Sequence, residues 1–172
     1  ISPETMAQAI SDAFSGKQPQ YTPEMANTII QNYLQNAGEQ KYAQNKEVGE
    51  AFLHENKSKP GIQTTPSGLQ YEIVTEGNGA KPTADQTVSV HYHGSLIDGT
   101  VFDSSIERGQ PATFGVHQVI PGWTEALQLM NVGSKYRLYI PQELSYGANP
   151  HPGGPIKPFS ALIFDVELLE IV

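Results

Sequence analysis

The 172-residue chain contains no cysteine, which excludes disulfides, thiol nucleophiles and thiolate metal sites together. It also has no apolar run near the roughly 18 to 20 residues that span a membrane as a helix, and no basic segment followed by an apolar one that would mark a leader. Because the chain starts at Ile1 and not at methionine, that missing leader leaves the compartment open. Basic residues are scarce: 10 lysines and arginines face 18 carboxylates, for a net charge of −8. The shortage is general, with 7 acids and 5 bases in residues 1–60 and 11 acids and 5 bases in residues 61–172. Neither half therefore offers the surplus of cations with which nucleic-acid binders neutralise phosphates. The 38% of hydrophobic residues suffice for a core, so a soluble globular protein is expected, without a nucleic-acid partner or a transmembrane segment.

Up to Pro60 the only glycines are Gly16, Gly38 and Gly49, and Ala, Gln, Asn, Glu and Lys dominate, so this half reads as helix. Ser2, Pro3 and Glu4 open a short first helix, and Thr22, Pro23 and Glu24 repeat the formula of N-cap, first-turn proline and first-turn carboxylate. The second helix meets no stop before Lys59 and Pro60, which predicts about 35 residues and on the order of 50 Å. Met25, Ile29, Ile30, Tyr33, Leu34 and Ala37 form an apolar stripe along it, whereas Gln40 to Lys46 is nearly all polar. The stripe either packs on the chain's own C-terminal domain or pairs with a second copy. The second reading is preferred, with the polar middle as a solvated stalk.

After Pro60 glycine and proline become frequent and the apolar segments shorten and alternate. Strands are expected at 68–76, 87–96, 100–105, 134–141 and 161–172, with Asp98-Gly99 as a hairpin turn between the second and third. One helix is expected in "PGWTEALQLMNVG", opened by Pro121, closed by Gly133 and apolar along Trp123, Ala126, Leu127 and Met130. The fold class is α+β: a twisted antiparallel sheet of about five strands wrapped on one short helix and preceded by an all-α segment. The boundary falls between 59 and 60.

The stretch "VHYHGSLIDGTVFDSS" invites three chemical readings. Alternation puts His91 and His93 with Ser89 and Ser95 on a polar face expected to meet water, and Val88, Val90, Tyr92 and Leu96 on the apolar one. A His-x-His pair needs a third ligand that no spacing suggests, and a hydrolytic triad has no G-x-S-x-G elbow here, so no metal is expected. Tyr92 alone would be ordinary core packing. With Phe102, Asp103, Phe114, "QVIPGW" and the loop "SYGANPHPGGPI" it points instead to an apolar pocket with few ionisable groups, suited to binding and desolvating.

These residues resemble the FKBP-type peptidyl-prolyl cis-trans isomerases. The match rests on "VHYHG" (90–94), "GTVFDSS" (99–105), "QVIPGWTEAL" (118–127), "SYG" (145–147), "HPGGPI" (151–156) and "LIFDVELLEI" (162–171), in family order over residues 62–172. The helical N-terminus with "PSGLQYEI" is similar to the macrophage-infectivity-potentiator branch. The resemblance implies a helical dimerisation segment with a long stalk helix over 1–59 and an isomerase domain over 60–172, joined as a homodimer through the N-terminal helices.

The resemblance also assigns residues. Tyr92, Asp103 and Tyr146 become catalytic, and Phe102, Phe114, Val119, Ile120, Trp123, Ile156 and Phe164 bind substrate, with Trp123 as the floor under the proline ring. The Tyr146 hydroxyl and Ile120 N–H would bond ligand carbonyls. Asp103 would be a buried carboxylate beside the twisting amide, tied to Tyr92 and Arg108. Ala112 replaces a pocket phenylalanine of many single-domain members, Gly154 looks like an inserted loop residue, Lys157 sits at the loop rim, and His151 at the loop tip either touches substrate or faces water. The implied activity is cofactor-free isomerisation of prolyl bonds in folding polypeptides. Macrolides of the FK506/rapamycin class are the implied inhibitors, and the bacterial periplasm or outer-membrane face the implied location, with the cytoplasm as the alternative. A dimeric chaperone or peptide-binding scaffold, with isomerisation secondary, is the competing function.

Overall fold

The computed structural model describes residues 7, 11, 12, 14–16 and 22–172, so the expected first-helix signals at Ser2, Pro3 and Glu4 lie outside the described residues. Helix α1 (Pro23–Asn56) has 34 residues, close to the predicted length. It starts as the sequence implies: the Thr22 hydroxyl oxygen accepts from the Met25 N–H at 3.3 Å. The chain divides into two compact units, 1–40 and 41–172, so the last part of α1 belongs to the C-terminal unit.

That unit is built on one antiparallel sheet. Its strands are β1 (Ile62–Thr64), β2 (Gln70–Thr75), β3 (Thr87–Leu96), β4 (Val101–Ser104), β5 (Ala112–Gly115), β6 (Lys135–Ile140) and β7 (Leu162–Ile171). They lie in the order β1-β2-β6-β7-β3-β4, with β5 also paired to β3. Seven strands replace the expected five. The two extra ones, β1 and β5, are three and four residues long, too short to declare a period-two pattern in the sequence.

Alternation decides which face is core. Along β7, Leu162, Phe164, Val166 and Leu168 are buried, and they meet Val88, Val90 and Tyr92 of β3 and Leu138 and Ile140 of β6. Against this face packs the short helix α2 (Pro121–Leu129), through Gly122, Trp123, Ala126 and Leu127. Gly122 is required there: a Cβ would stand 2.6 Å from Ile140 Cγ2.

The end of α1 covers part of the sheet's other face. Leu53, Tyr139 and Ala161 form a second small core with Phe52, Ile62, Ile97 and Ile163. Two buried amides fix the seam: Asn56 Nδ2 donates to Gln70 Oε1 at 3.0 Å, and Gln70 Nε2 donates to the Leu53 carbonyl at 2.8 Å. The chain of donors runs from Asn56 to Gln70 to the Leu53 carbonyl, so neither buried side chain is left without a partner. The polar middle of the helix is not wholly solvated either, because Asn45 Nδ2 reaches the Pro158 carbonyl at 3.2 Å.

Candidate active site

The site forms where β3, β4, β5, the start of α2 and the 145–158 loop converge. The β3–β4 hairpin turns at Asp98-Gly99 as predicted: Gly99 has φ +87°, and Asp98 Oδ1 accepts from the Thr100 N–H at 2.9 Å. Across that hairpin Gly94 pairs with Asp103 and, on the other side, with Phe164. A Cβ on Gly94 would lie 2.7 Å from ring atoms of both Phe102 and Phe164, so the glycine makes room for the two rings.

The rings pack edge to face. Trp123 lies 5.3 Å from Tyr92, 5.7 Å from Phe114 and 5.2 Å from Phe164, all near perpendicular, and Phe102 meets Phe164 at 5.3 Å in the same manner. Such edge-to-face pairs suit the ring quadrupoles and hold each ring in place. They line a cavity of about 580 Å³ together with Asp103, Val119, Ile120 and Tyr146. Trp123 is 4% exposed, and its indole nitrogen has no hydrogen-bond partner among the described residues. The Ile120 N–H and the Tyr146 hydroxyl likewise donate to no acceptor among the described residues, and both residues line the cavity.

Nine of the ten residues nominated from the sequence line this cavity. Ile156 does not: it is half-buried and lines a neighbouring depression with Tyr42 and the 148–158 loop. Ala112 pairs with Val90 beside the cavity and does not line it. Two further residues complete the lining: Gln118, which was not nominated, and His151, for which the sequence left substrate contact and solvent both open. Gln118 stood inside a quoted motif, but a polar side chain gave no apolar-pocket signal. His151 is exposed at the loop, its ring 6.0 Å from Tyr146.

Asp103 differs from expectation. Its side chain is 43% exposed, so it is a rim carboxylate and not a buried one, because β4 is at the edge of the sheet. The Tyr92 hydroxyl donates to Asp103 Oδ2 at 2.5 Å, Arg108 pairs with the other carboxylate oxygen, and Arg108 Nη2 donates to the Tyr92 hydroxyl at 2.9 Å. Partial burial alone would raise the Asp103 carboxyl, but the Tyr92 hydroxyl and the Arg108 guanidinium outweigh it and hold the group below its ordinary value. Burial first, and the Asp103 hydrogen bond second, push the Tyr92 hydroxyl up. Burial, then the Asp103 charge, raises Tyr146.

The histidines are also less exposed than expected. His91 Nδ1 lies 3.1 Å from Ser105 Oγ and His93 Nδ1 3.1 Å from Ser104 Oγ, because the chain leaving β4 folds back beside β3 and buries both serines. Ser105 Oγ in turn accepts from the Tyr92 N–H at 2.8 Å. Among the described residues no three histidine or carboxylate side chains gather as a metal set.

An antiparallel sheet packed on one short helix, with a cavity walled by aromatic rings and holding few ionisable groups, defines an α+β domain with an apolar binding pocket. Comparison with known proteins gives the family. The family model for FKBP-type peptidyl-prolyl cis-trans isomerases matches residues 78–169, and that for the domain amino-terminal to such isomerases matches residues 1–73. The outer membrane protein MIP of Legionella longbeachae is 47% identical over 99% of this chain and 76% of its own length. The FKBP-type 22 kDa peptidyl-prolyl cis-trans isomerase of Escherichia coli is 47% identical, covering 99% and 84% of the two chains. The crystal structure of FkpA from Escherichia coli superposes with a TM-score of 0.74 at 36% identity, over 99% of this chain and 82% of that one. The chain belongs to the FKBP-type peptidyl-prolyl cis-trans isomerases.

Proposed function

We propose that this cavity isomerises prolyl bonds of folding polypeptides by lowering the resonance of the bound amide, with no covalent step. A prolyl bond turns over a barrier of about 20 kcal/mol because rotation breaks amide resonance. The planar amide is the more charge-separated form, so transfer from water into a cavity walled by Phe102, Phe114, Trp123 and Phe164 penalises it more than the twisted form. The proline ring sits on Trp123. The Ile120 N–H and Tyr146 hydroxyl hold the flanking carbonyls while the bond turns, and Asp103, fixed by Arg108 and bonded to Tyr92, lies beside the amide. The observation that carries this reading is the aromatic cavity with two unpaired donors at its wall.

The reading extends to ligand, assembly and place. A macrolide of the FK506/rapamycin class competes for the same cavity. Two copies join through their N-terminal helices, and the protein works in the bacterial cell envelope, which the name of the Legionella relative supports.

The test is turnover of a short proline peptide beside suppression of aggregation of an unfolded protein. Trp123→Ala removes the floor and should cut kcat/KM at least tenfold, or about 1.4 kcal/mol of transition-state stabilisation. A wild type that suppresses aggregation without isomerising the peptide would replace the enzyme with a chaperone scaffold.

A further inference from the structure

We propose that the prolyl cavity is the head of a longer polypeptide-binding track that crosses the 147–158 loop and ends against the side of α1, within the C-terminal unit. This rests on the isomerase reading and adds where the rest of the substrate lies.

Three depressions adjoin, each sharing one lining residue with the next. The prolyl cavity shares His151 with a second cavity of about 490 Å³, which lies between Tyr42 of α1 and the loop. The second shares Lys157 with a third, of about 300 Å³, between Asn45 and Val48 of α1 and the Leu96–Asp98 turn. The hydrogen bond from Asn45 to the Pro158 carbonyl ties helix to loop between them. A substrate bound in the prolyl cavity as part of a long chain continues beyond it as an extended segment, and the depression that shares His151 with the cavity is placed to receive it.

The walls suit such a segment. Prolines 150, 152 and 158 carry no backbone N–H, and with the Tyr42 ring they add apolar surface to the second lining. Val48 is 48% exposed at the far end, an apolar side chain open to solvent. Lys157 is the single cation of the second and third linings, and among the described residues its ammonium finds only the Gly154 carbonyl, at 3.5 Å. The occupant is therefore an unfolded polypeptide with apolar residues flanking its proline and a carboxylate placed to meet Lys157.

The test compares a proline tetrapeptide with the same sequence extended by roughly eight residues, about 27 Å of extended chain, on one side or the other and carrying glutamates in the added part. In the full chain, one extended peptide should show a KM about fivefold lower at unchanged kcat, since the added contacts hold ground and transition states equally. Tyr42→Ala and Lys157→Glu should each abolish most of that gain, while tetrapeptide turnover stays at the wild-type value and certifies the fold. Equal KM for all three peptides, or a gain that survives both substitutions, overturns the track alone. A wild type that does not turn over the tetrapeptide defeats the reading of the cavity, and the track with it.

Discussion

Asp103 carries the only charge in the cavity lining that is fixed by a partner cation. Replacing it with asparagine keeps the size but removes the ion pair and weakens the bond from the Tyr92 hydroxyl. Charge-assisted hydrogen bonds are roughly twice as strong as neutral ones, so Asp103→Asn should lower kcat/KM about tenfold, or about 1.4 kcal/mol. Stability should change by about 1 kcal/mol or less, because the Arg108 pair is half exposed and screened. The pH dependence follows from the same groups. The folded carboxyl titrates below its ordinary range, so its contribution is present above that range and lost only as pH falls through the depressed value. Tyr92 and Tyr146 are pushed above the ordinary tyrosine range, so both hydroxyls keep their protons throughout neutrality. A pH-rate profile should therefore be flat between about 6 and 8. That is where histidine ordinarily titrates, and a sigmoid there would bring proton transfer into the reaction and sink the desolvation mechanism.

At the level of strands and loops, Gly94 is the position where one methyl group tests the architecture. Gly94→Ala places a Cβ against the Phe102 and Phe164 rings, and overpacking of this kind typically costs 1–3 kcal/mol. The midpoint of thermal unfolding should drop by several degrees, and kcat/KM should fall as the two rings shift into the cavity. An unchanged KM and melting temperature would mean that the walls are pliable. Gly94 also marks the limit of what the sequence discloses. The long strands and α2 were legible because five or more residues of alternation, or Pro121 and Gly133 around an apolar face, declare a period. Nearly the whole cavity lining was legible because aromatic residues in a fixed family order carry it. What escaped depended on partners distant in sequence: β1 and β5 exist through pairing with β2 and β3. Gln118 reaches the cavity through the turn before α2. The family resemblance implied a buried Asp103, and the position of β4 at the sheet edge exposes it.

In the whole molecule, the N-terminal part of α1 sets the remaining question, because it combines a good helix with an unburied apolar stripe. Met25, Ile29, Ile30 and Tyr33 are 52%, 47%, 44% and 56% exposed, and Ala37 is exposed as well; the Leu34 side chain lies outside the described residues. Isolated large apolar residues on a surface are ordinary, but four on one stripe of one helix make a patch that water penalises. A 34-residue helix draws most of its stability from packing of its apolar face, and the C-terminal unit accounts for burial only from Gly49 onward, at Gly49, Leu53 and Asn56. The stripe therefore fits an isologous pairing with a second copy, in which the same patch serves both partners. Charging it should separate assembly from catalysis. Sedimentation of the full chain is expected to give a dimer, and the Ile29→Glu, Tyr33→Glu double variant a monomer, since two carboxylates per copy would face each other across a desolvated seam. Turnover of a tetrapeptide should stay near the wild-type value, because the cavity lining comes entirely from residues 92 to 164. Refolding of a proline-limited protein should slow in the monomer if two tracks engage one client, by the effective concentration that joining two binding sites supplies. A wild type that sediments as a monomer would remove the pairing, and the stripe would then need a different cover.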